Sequence, residues 1–315
     1  MGISITSLFE NNKHIKNLDI YLLGHSISVD NKKCLEYIGD CYHRKIYIID
    51  VPELNVPECL ISPRWPLSAF TRLFAGELLP KNINRILYLD CDTIIKGDIQ
   101  PLENINMDDA LFGGIKDCIS SLYKKNIGLS AEDVYINAGV LIINLEKLRQ
   151  QNIRMSVDQY LQKYTSFINY ADQDILNGTF RNNIKAVGPE YNLMTIVATY
   201  SLKEIETLRR PTNYYSLDEL QHAVNNPVII HYTTNMRTIR PWYKNTNHPY
   251  ADEFKKYLAT SPWSEMNLSE YHFNSRESYG VRLIQLLPNN IANYCLGILH
   301  AILRPLYIKL RAKFK

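Results

Sequence analysis

The segment that decides the fold is RILYLDCDTIIKGDIQPL, residues 85–102. Its first five residues form a largely apolar run of the kind that builds a buried strand. This strand leads into two acids, Asp90 and Asp92, spaced i and i+2. In a continued strand these side chains point to opposite faces, so both can hold one ion only if the chain turns here. Two carboxylates, with phosphate oxygens filling the remaining positions, suit Mg²⁺ or Mn²⁺.

The D-x-D pattern also has a plainer interpretation, in which Asp92 caps the following turn and Asp90 is solvated. A distant histidine, His231, ends a second apolar run. It would add a nitrogen ligand and shift the preference toward Mn²⁺. A single histidine on an apolar strand is, however, also typical of a buried core residue. The two acids alone therefore do not decide whether a metal binds here.

Strand-like and helix-like runs alternate on both sides of this segment. The predicted strands are 18–23, 45–51, 85–89, 110–116, 137–144 and 228–232, and the predicted helices are 30–38, 66–79 and 172–180. This alternation predicts an α/β fold with a mostly parallel central sheet, flanked by helices and joined by right-handed crossovers. Ligands of such sheets bind beyond the carboxyl ends of the strands, where Asp90, Asp92 and His231 all fall.

The composition is that of a soluble globular protein with one dominant core. Of 315 residues, 46% are hydrophobic and 21% are charged, which excludes a disordered chain and a multi-span membrane protein. No glycine-rich dinucleotide or P-loop motif is present. The six cysteines form no CxxC pair, so reduced thiols are expected instead of a zinc site. With no secretory signal pattern either, we expect a cytoplasmic protein.

The positive charge is concentrated at the carboxyl end. Residues 281–315 contain six basic and no acidic residues, whereas the remaining chain contains 29 basic and 32 acidic residues. This asymmetry favours a basic tail that binds an anionic surface and argues against nucleic acid as a partner. Within the tail, Leu299, Leu303, Leu306 and Leu310 recur at helical spacing beside basic residues. We expect an interfacial amphipathic helix on anionic lipid and a poor bilayer-spanning one; the alternative is a helix packed on the body.

Four motifs in order identify a family resemblance. They are RILYLDCDTIIKGDIQPL (85–102), YINAGVLIINLEKLR (135–149), DQDILNGTF (172–180) and IIHYTTNMRTIRPWY (229–243). Together they resemble glycosyltransferase family 8, the retaining group that includes bacterial lipooligosaccharide and capsule-type galactosyl- and glucosyltransferases. The resemblance implies a GT-A type nucleotide-diphospho-sugar transferase fold over residues 1–265. Residues 266–315 are then the basic membrane-association tail.

The resemblance also implies the site. The metal ligands would be Asp90, Asp92 and His231; the donor contacts would add Arg72, Cys91, Asn137, Ala138, Asp172, Gln173 and Arg240; Asp117 would lie on the acceptor side. Gln173, Asp172 and Asn137 would be the catalytic group. The implied cofactor is Mn²⁺ or Mg²⁺, the donor UDP-glucose or UDP-galactose, and the acceptor a glycan or glycolipid. The enzyme would work at the inner face of the bacterial cell membrane.

Some of these residues have plainer interpretations. Arg72 would otherwise be a solvated helix residue, Asn137 a strand cap and Asp172 a helix N-cap. The last motif also departs from the family pattern, because Thr234 stands where glycine is expected and Arg240 where a lysine contacts the diphosphate. Arginine can hold a phosphate bidentately, in altered geometry.

The beginning of the chain departs further. Residues 1–8, MGISITSL, resemble the family's first helix, so the first strand is expected to be missing. A missing central strand would expose backbone groups. We therefore expect a start upstream of Met1, or impaired function. Two rivals follow: a catalytically silent carbohydrate- or membrane-binding protein, and a nucleotidyltransferase, although the glycine-rich loop of the latter is absent.

Overall fold

The structure is a computed structural model that describes residues 1–51, 54, 56–62, 65–235, 237–272 and 286–313. Its strands are β1 Ile20–Gly24, β2 Ile46–Asp50, β3 Arg85–Leu89, β4 Thr93–Ile95, β5 Phe112–Lys116, β6 Ile136–Asn144, β7 Ile184–Val187, β8 Leu193–Met194 and β9 Ile229–His231. Its helices are α1 Gly2–Asn11, α2 Val29–Tyr42, α3 Ala75–Leu78, α4 Gln100–Glu103, α5 Ser121–Asn126, α6 Leu145–Arg149, α7 Ile153–Tyr164, α8 Ala171–Thr179, α9 Thr195–Thr199, α10 Leu202–Arg209, α11 Leu217–Asn225, α12 Ala251–Ala259, α13 Asn289–Ile298 and α14 Arg304–Lys313.

The strands pair in three groups. β1 and β2 form one pair, β3-β6-β5-β7 form a four-stranded sheet, and β4-β9-β8 form a three-stranded sheet. Helices pack around these sheets, and the apolar core lies between the two kinds of layer. The predicted α/β architecture is confirmed.

The strand directions correct one part of the prediction. We expected a mostly parallel sheet, but β6 runs antiparallel to both β3 and β5, and β4 runs antiparallel to β9. Parallel pairing is found for β1 with β2, β5 with β7 and β8 with β9. The reason for the difference is that β6 is buried along almost its whole length. A continuous apolar run shows burial on both faces and carries no information on direction.

The helix predicted over residues 66–79 begins in a tighter geometry. Residues Leu67–Phe74 form a 3₁₀ segment, and only Ala75–Leu78 is α-helical. The predicted apolar spacing is still used, because Phe70, Leu73 and Phe74 are buried. The tight segment also buries Arg72, which the sequence left as either a solvated or a site residue.

A deep cavity of about 1930 Å³ opens beside the carboxyl end of β3 and the amino end of β6. Part of it lies between β1 and β3, because residues of both strands line it. Within the described chain, β1 pairs only with β2 and β3 only with β6. One edge of each strand therefore faces the cavity without a strand partner. Whether a further strand belongs there stays a prediction, made from the resemblance of residues 1–8 to the family's first helix.

The carboxyl-terminal helix runs continuously through α13, a π-helical turn at Leu299–Leu303, and α14. The segment Asn289–Ala312 is long and apolar enough to cross a membrane by length and composition alone, with 39% of its most apolar window buried. The buried part packs on α10 and α5, while Leu299, Leu303, Leu306 and Leu310 are exposed. Residues 273–285 and 314–315 of the predicted tail lie outside the described residues.

Candidate metal and donor site

The two acids lie on a turn between strands, as one shared ion requires. β3 ends at Leu89, the amide of Asp90 donates to the carbonyl of Gly139 over 2.7 Å, and β4 starts at Thr93. His231 is at the end of β9, which pairs with β4 so that Thr93 faces His231. Asp90, Asp92 and His231 each offer one possible ligand atom, and these three atoms lie within 4.8 Å of one another.

His231 is held in one orientation. Its Nδ1 lies 2.9 Å from Oδ1 of Asn192, and an amide oxygen only accepts, so Nδ1 carries the proton. Nε2 then faces the carboxylates, 3.2 Å from Oδ1 of Asp92 and 3.9 Å from Oδ2 of Asp90. A metal-binding histidine commonly has its other ring nitrogen fixed in this way.

The charges of the cluster suit a cation. Burial alone would raise the pKa of Asp92, but His231 and Arg240 lower it to about 2, so this carboxylate is ionised at neutral pH. Burial alone would lower the pKa of His231, but Asp92 and Asp90 raise it above its ordinary value. Two oxygen ligands and one nitrogen ligand form a donor set that suits Mn²⁺.

Gly139 makes room for the cluster. A Cβ atom built on it would lie 2.2 Å from Cε1 of His231 and 2.8 Å from Oδ2 of Asp90. These distances are well below van der Waals contact, so no larger residue fits without moving two of the three ligands. His231 and Asp90 therefore pack directly against the backbone of β6.

Arg72 joins the cluster to the first turn of α8. Its Nη2 donates to Oδ1 of Asp90 over 2.9 Å, and its Nε lies 3.0 Å from Oδ2 of Asp172. Nη1 donates to the carbonyl of Ala138, and the guanidinium lies 4.6 Å above the ring of Tyr88. Burial opposes this charge, but Asp172 and Asp90 raise the pKa of Arg72 above its usual range.

Asp172 is not the helix N-cap that one interpretation predicted. The N-cap of α8 is Tyr170, which makes no side-chain capping bond, and Asp172 lies buried in the first turn. The preceding Ala171 has a φ of 41°, which is uncommon for a residue other than glycine. Burial raises the pKa of Asp172 to about 6, even though Arg72 acts in the opposite direction.

The amide of Gln173 is fixed at both ends. Its Oε1 accepts from the backbone amide of Ala138 over 3.1 Å and from Nδ2 of Asn137 over 3.0 Å. Because a backbone N–H can only donate, the nitrogen must face the other way. Nε2 donates to Oδ2 of Asp117 over 3.0 Å and to the hydroxyl of Tyr135 over 3.1 Å.

A chain of hydrogen bonds connects this amide to the metal cluster. Oδ1 of Asn137 accepts from Nδ2 of Asn192 over 3.0 Å, and Oδ1 of Asn192 accepts from His231. Behind Gln173, the Tyr135 hydroxyl donates to Oδ1 of the fully buried Asp174 over 2.7 Å. Buried networks of this kind are rigid when every member is paired.

Arg240 reaches the cluster from the opposite loop. Its Nη2 lies 3.4 Å from Oδ2 of Asp92 and donates to Oγ1 of Thr234 over 2.8 Å. The guanidinium carbon lies 5.1 Å from the ring centroid of Trp242. Nε of Arg240 is buried without a hydrogen-bond partner in the described chain. The two residues that depart from the family pattern, Thr234 and Arg240, therefore contact each other.

The structure brings all the candidate residues to one cavity. Its lining includes Arg72, Asp90, Cys91, Asp92, Asp117, Asn137, Ala138, Asp172, Gln173, His231 and Arg240. The roles assigned to them stay predictions, and Cys91 contributes an exposed thiol between the two acids. Sequence reasoning missed Asn192, Tyr88 and Tyr135. Tyr88 and Tyr135 lie inside the first and second motifs but had no role assigned to them, and Asn192 lies outside all four motifs. Only contacts across the fold show their connection to the site.

Comparison with known proteins identifies the class. The galactosyltransferase LgtC, solved with donor and acceptor sugar analogues, matches with a TM-score of 0.66 and 23% identity over 82% of this chain and 91% of its own. The fold is thus that of the GT-A glycosyltransferases. The family model "Glycosyl transferase family 8" matches residues 1–246, and the chain belongs to this family. It is a retaining glycosyltransferase that uses a sugar donor.

Curated relatives agree with this assignment. Lipopolysaccharide 1,2-glucosyltransferase of Escherichia coli strain K12 is 28% identical over 84% of this chain and 75% of its own length. General stress protein A of Bacillus subtilis strain 168 is 26% identical over 84% of this chain and 90% of its own.

Proposed function

We propose that the protein transfers glucose or galactose from a UDP-sugar to a hydroxyl group of a saccharide or lipid-linked glycan, with Mn²⁺ or Mg²⁺ as cofactor. The observation that carries this proposal is the continuous connection from the Asp90, Asp92 and His231 cluster to the fixed amide of Gln173. The cluster that would hold a diphosphate-bound cation and the amide that would contact the donor sugar both line one cavity, which supports the proposal. The named glucosyl- and galactosyltransferases among the similar proteins support the hexose.

Each charged residue has a part in departure of the diphosphate. Asp90, Asp92 and His231 would hold the cation, which when bound neutralises the negative charge that develops on the leaving group. Arg240, which contacts Asp92 and has an unpaired Nε, is placed to bind a phosphate oxygen. Preorganised charges of this kind stabilise a transition state because they need no reorientation.

Gln173 acts as an electrostatic stabiliser and not as a nucleophile. An unionised amide is a weak nucleophile, and both ends of this one are already bound by hydrogen bonds. Asp117, which accepts from Gln173, lies on the acceptor side of the amide in this proposal. The leaving diphosphate then serves as base for the acceptor hydroxyl, since no histidine or carboxylate in the described cavity is assigned that role.

The same proposal places the enzyme on the inner face of the bacterial cell membrane. Along α14 and the π-helical turn, Leu303, Leu306, Tyr307 and Leu310 are exposed, and Lys309 and Arg311 lie beside them. An apolar face flanked by cations suits an anionic lipid surface. The domain division at residue 265 remains part of this proposal.

A donor screen tests the function. The full chain is incubated with Mn²⁺ and with UDP-glucose, UDP-galactose or another UDP-sugar, and the release of UDP is measured. We expect release from a UDP-hexose, its loss with chelator, and its loss in Asp92→Asn. Asp218→Asn, an exposed acid on α11, is the matched control. Full metal-independent release by the Asp92 variant would refute the metal assignment, and no release from any UDP-hexose would refute the donor.

Vesicle co-sedimentation tests the membrane proposal. The wild type is compared with a Leu303→Ser, Leu306→Ser, Leu310→Ser variant on anionic and zwitterionic vesicles. Because these side chains are exposed, the changes leave the core intact. Serine at exposed Val29, Tyr37 and Leu217 is the control. Equal sedimentation of the two triple variants would remove the proposal.

A further inference from the structure

Three basic side chains converge at the end of the cavity that holds Gln173 and Asp117. Arg209 is the last residue of α10, His300 lies in the π-helical turn and Arg304 is the first residue of α14, and all three line the cavity. They lie close enough that the charges of Arg209 and Arg304 both lower the pKa of His300. Residues from two distant parts of the chain thus face one space.

The two guanidinium groups have no acid that neutralises them directly. Among the described residues, no carboxylate oxygen lies within 4.0 Å of Arg209 or Arg304. Nη2 of Arg304 donates instead to the neutral Oδ1 of Asn169 over 2.8 Å. Two half-buried positive charges with no carboxylate in direct contact can form charge-assisted hydrogen bonds to an anion.

The cluster also has unused hydrogen-bonding capacity. Nδ1 of His300 and Nδ2 of Asn169 are both buried without a partner in the described chain. Burial, assisted by Arg209 and Arg304, lowers the pKa of His300 to about 4, so the imidazole is neutral at physiological pH. A neutral ring can place its single proton on Nδ1 and donate it to an anion. Unpaired buried polar atoms are rare, and a missing ligand is one of their ordinary explanations.

The helix that supplies two of these residues is fixed on the body. Oγ of Ser120 donates to the carbonyl of Ala301 over 3.1 Å, and Nδ2 of Asn126 donates to the carbonyl of Pro305 over 2.8 Å. A Cβ atom at Gly297 would lie 2.0 Å from the carbonyl oxygen of Thr207, so the helix backbone touches α10. The position of the basic cluster is therefore set by close packing.

The two faces of this helix have different surroundings. One face carries the exposed leucines, and the other presents His300 and Arg304 to the cavity. An acceptor that reaches the cavity from a lipid surface would pass this second face. Two guanidinium groups beside a neutral imidazole suit a phosphate group, which arginine binds bidentately.

We propose that Arg209, His300 and Arg304 bind a phosphate group of the acceptor beside the hydroxyl that receives the sugar. The proposal rests on the glycosyltransferase function proposed above and names the chemical class of its acceptor. It assigns the cluster to the acceptor because Arg72 and Arg240 already contact the metal cluster, whereas Arg209 interacts with Asp117 and Tyr170. The acceptor is therefore a phosphorylated glycan and not a neutral one.

Calorimetric titration of the full chain tests this site. Glucose 6-phosphate, glucose and inorganic phosphate are titrated at pH 7.5, a pH at which His300 is neutral. We expect glucose 6-phosphate to bind at least tenfold more tightly than glucose. Removing one charge-assisted contact in Arg209→Gln or Arg304→Gln should weaken it about tenfold. Arg209→Lys, which keeps the charge, should retain part of the affinity, and Lys203→Gln on the exposed face of α10 should change nothing.

The outcomes separate the acceptor site from its alternatives. Equal affinity for glucose 6-phosphate and glucose, or unchanged affinity in the arginine variants, would overturn the proposal. If the arginine variants lose affinity for UDP as much as for glucose 6-phosphate, the cluster binds the donor and the proposal is wrong. Loss of anionic-vesicle binding with unchanged sugar-phosphate affinity would overturn it in favour of lipid headgroups. Inorganic phosphate that competes with glucose 6-phosphate would support it.

Failure of this proposal is distinguishable from failure of the proposed function. Sugar-phosphate binding through the arginines without turnover of any UDP-hexose would support the anion site and refute the proposed UDP-hexose donor. Turnover of a UDP-hexose with no preference for glucose 6-phosphate over glucose would support the proposed function and refute the phosphate site.

Discussion

Replacing Gly139 by alanine should damage the metal cluster selectively. The added Cβ would lie 2.2 Å from Cε1 of His231, whereas ordinary contact begins at 3.4 Å. The imidazole or β6 must therefore move by about 1.2 Å, and a second short contact of 2.8 Å, to Oδ2 of Asp90, must be relieved as well. Overpacking of this kind costs about 1–3 kcal/mol of stability. A shift of about 1 Å in a catalytic group can lower turnover by roughly 100-fold.

The assay is Mn²⁺ affinity measured by calorimetry, together with UDP release and thermal unfolding of the same preparations. We expect Gly139→Ala to remain folded, to bind Mn²⁺ at least tenfold more weakly and to lose most turnover. Gly76→Ala is the matched control, because its Cβ meets the nearest atom, Cγ of Arg149, at 3.3 Å. Wild-type Mn²⁺ affinity and turnover in Gly139→Ala would refute the idea that this glycine makes room for the ligands.

Three further predictions test other parts of the structure. Tyr135→Phe removes the hydroxyl that accepts from Gln173 and should lower kcat about tenfold with little change in donor KM; a loss of stability with unchanged kcat would contradict this positioning role. Burial lowers the pKa of His248 to about 4, so as the pH falls this histidine is protonated in the unfolded chain before it is protonated in the folded chain. The free energy of unfolding should therefore decrease as the pH decreases from about 6.5 to about 4. When urea unfolding is measured at several pH values, the free energy of unfolding of His248→Asn should depend less on pH than that of the wild type, whereas exposed His222→Asn should behave like the wild type. The same pH dependence in His248→Asn and the wild type would refute this prediction. An alternating apolar five-residue strand fused ahead of Met1 should pair with the open edges of β1 and β3 and raise Tm by a few degrees relative to a Gly-Ser fusion. Equal Tm values would show that the space between these strands does not accept a strand.

The candidate metal cluster could be predicted because its residues lie at or just after the ends of strands. Asp90 and His231 fall directly after or at the end of short apolar runs, and the fold brings the ends of β3 and β9 together through β4. The turn that two acids at i and i+2 require is present. The motif order then identified the family, which the family match confirms.

Strand direction and helix geometry were harder to predict for physical reasons. A buried run such as β6 has the same pattern whether its neighbours are parallel or antiparallel. The 3₁₀ geometry of Leu67–Phe74 depends on packing that places Arg72 against Asp90 and Asp172, which no local pattern describes. Strands as short as β4 and β8 have too few residues for a pattern of their own and are defined by their pairing with β9.

The residues that connect His231 to Gln173 could not be predicted from the sequence. Asn192 has no motif of its own, yet it fixes the proton on His231 and also binds Asn137, which in turn holds Gln173. A change in the position of His231 would therefore reach the amide through two asparagines, without passing through the donor. The orientations of His231 and of the Gln173 amide are in this way set by one rigid network, and this explains why the asparagines between them are buried and paired.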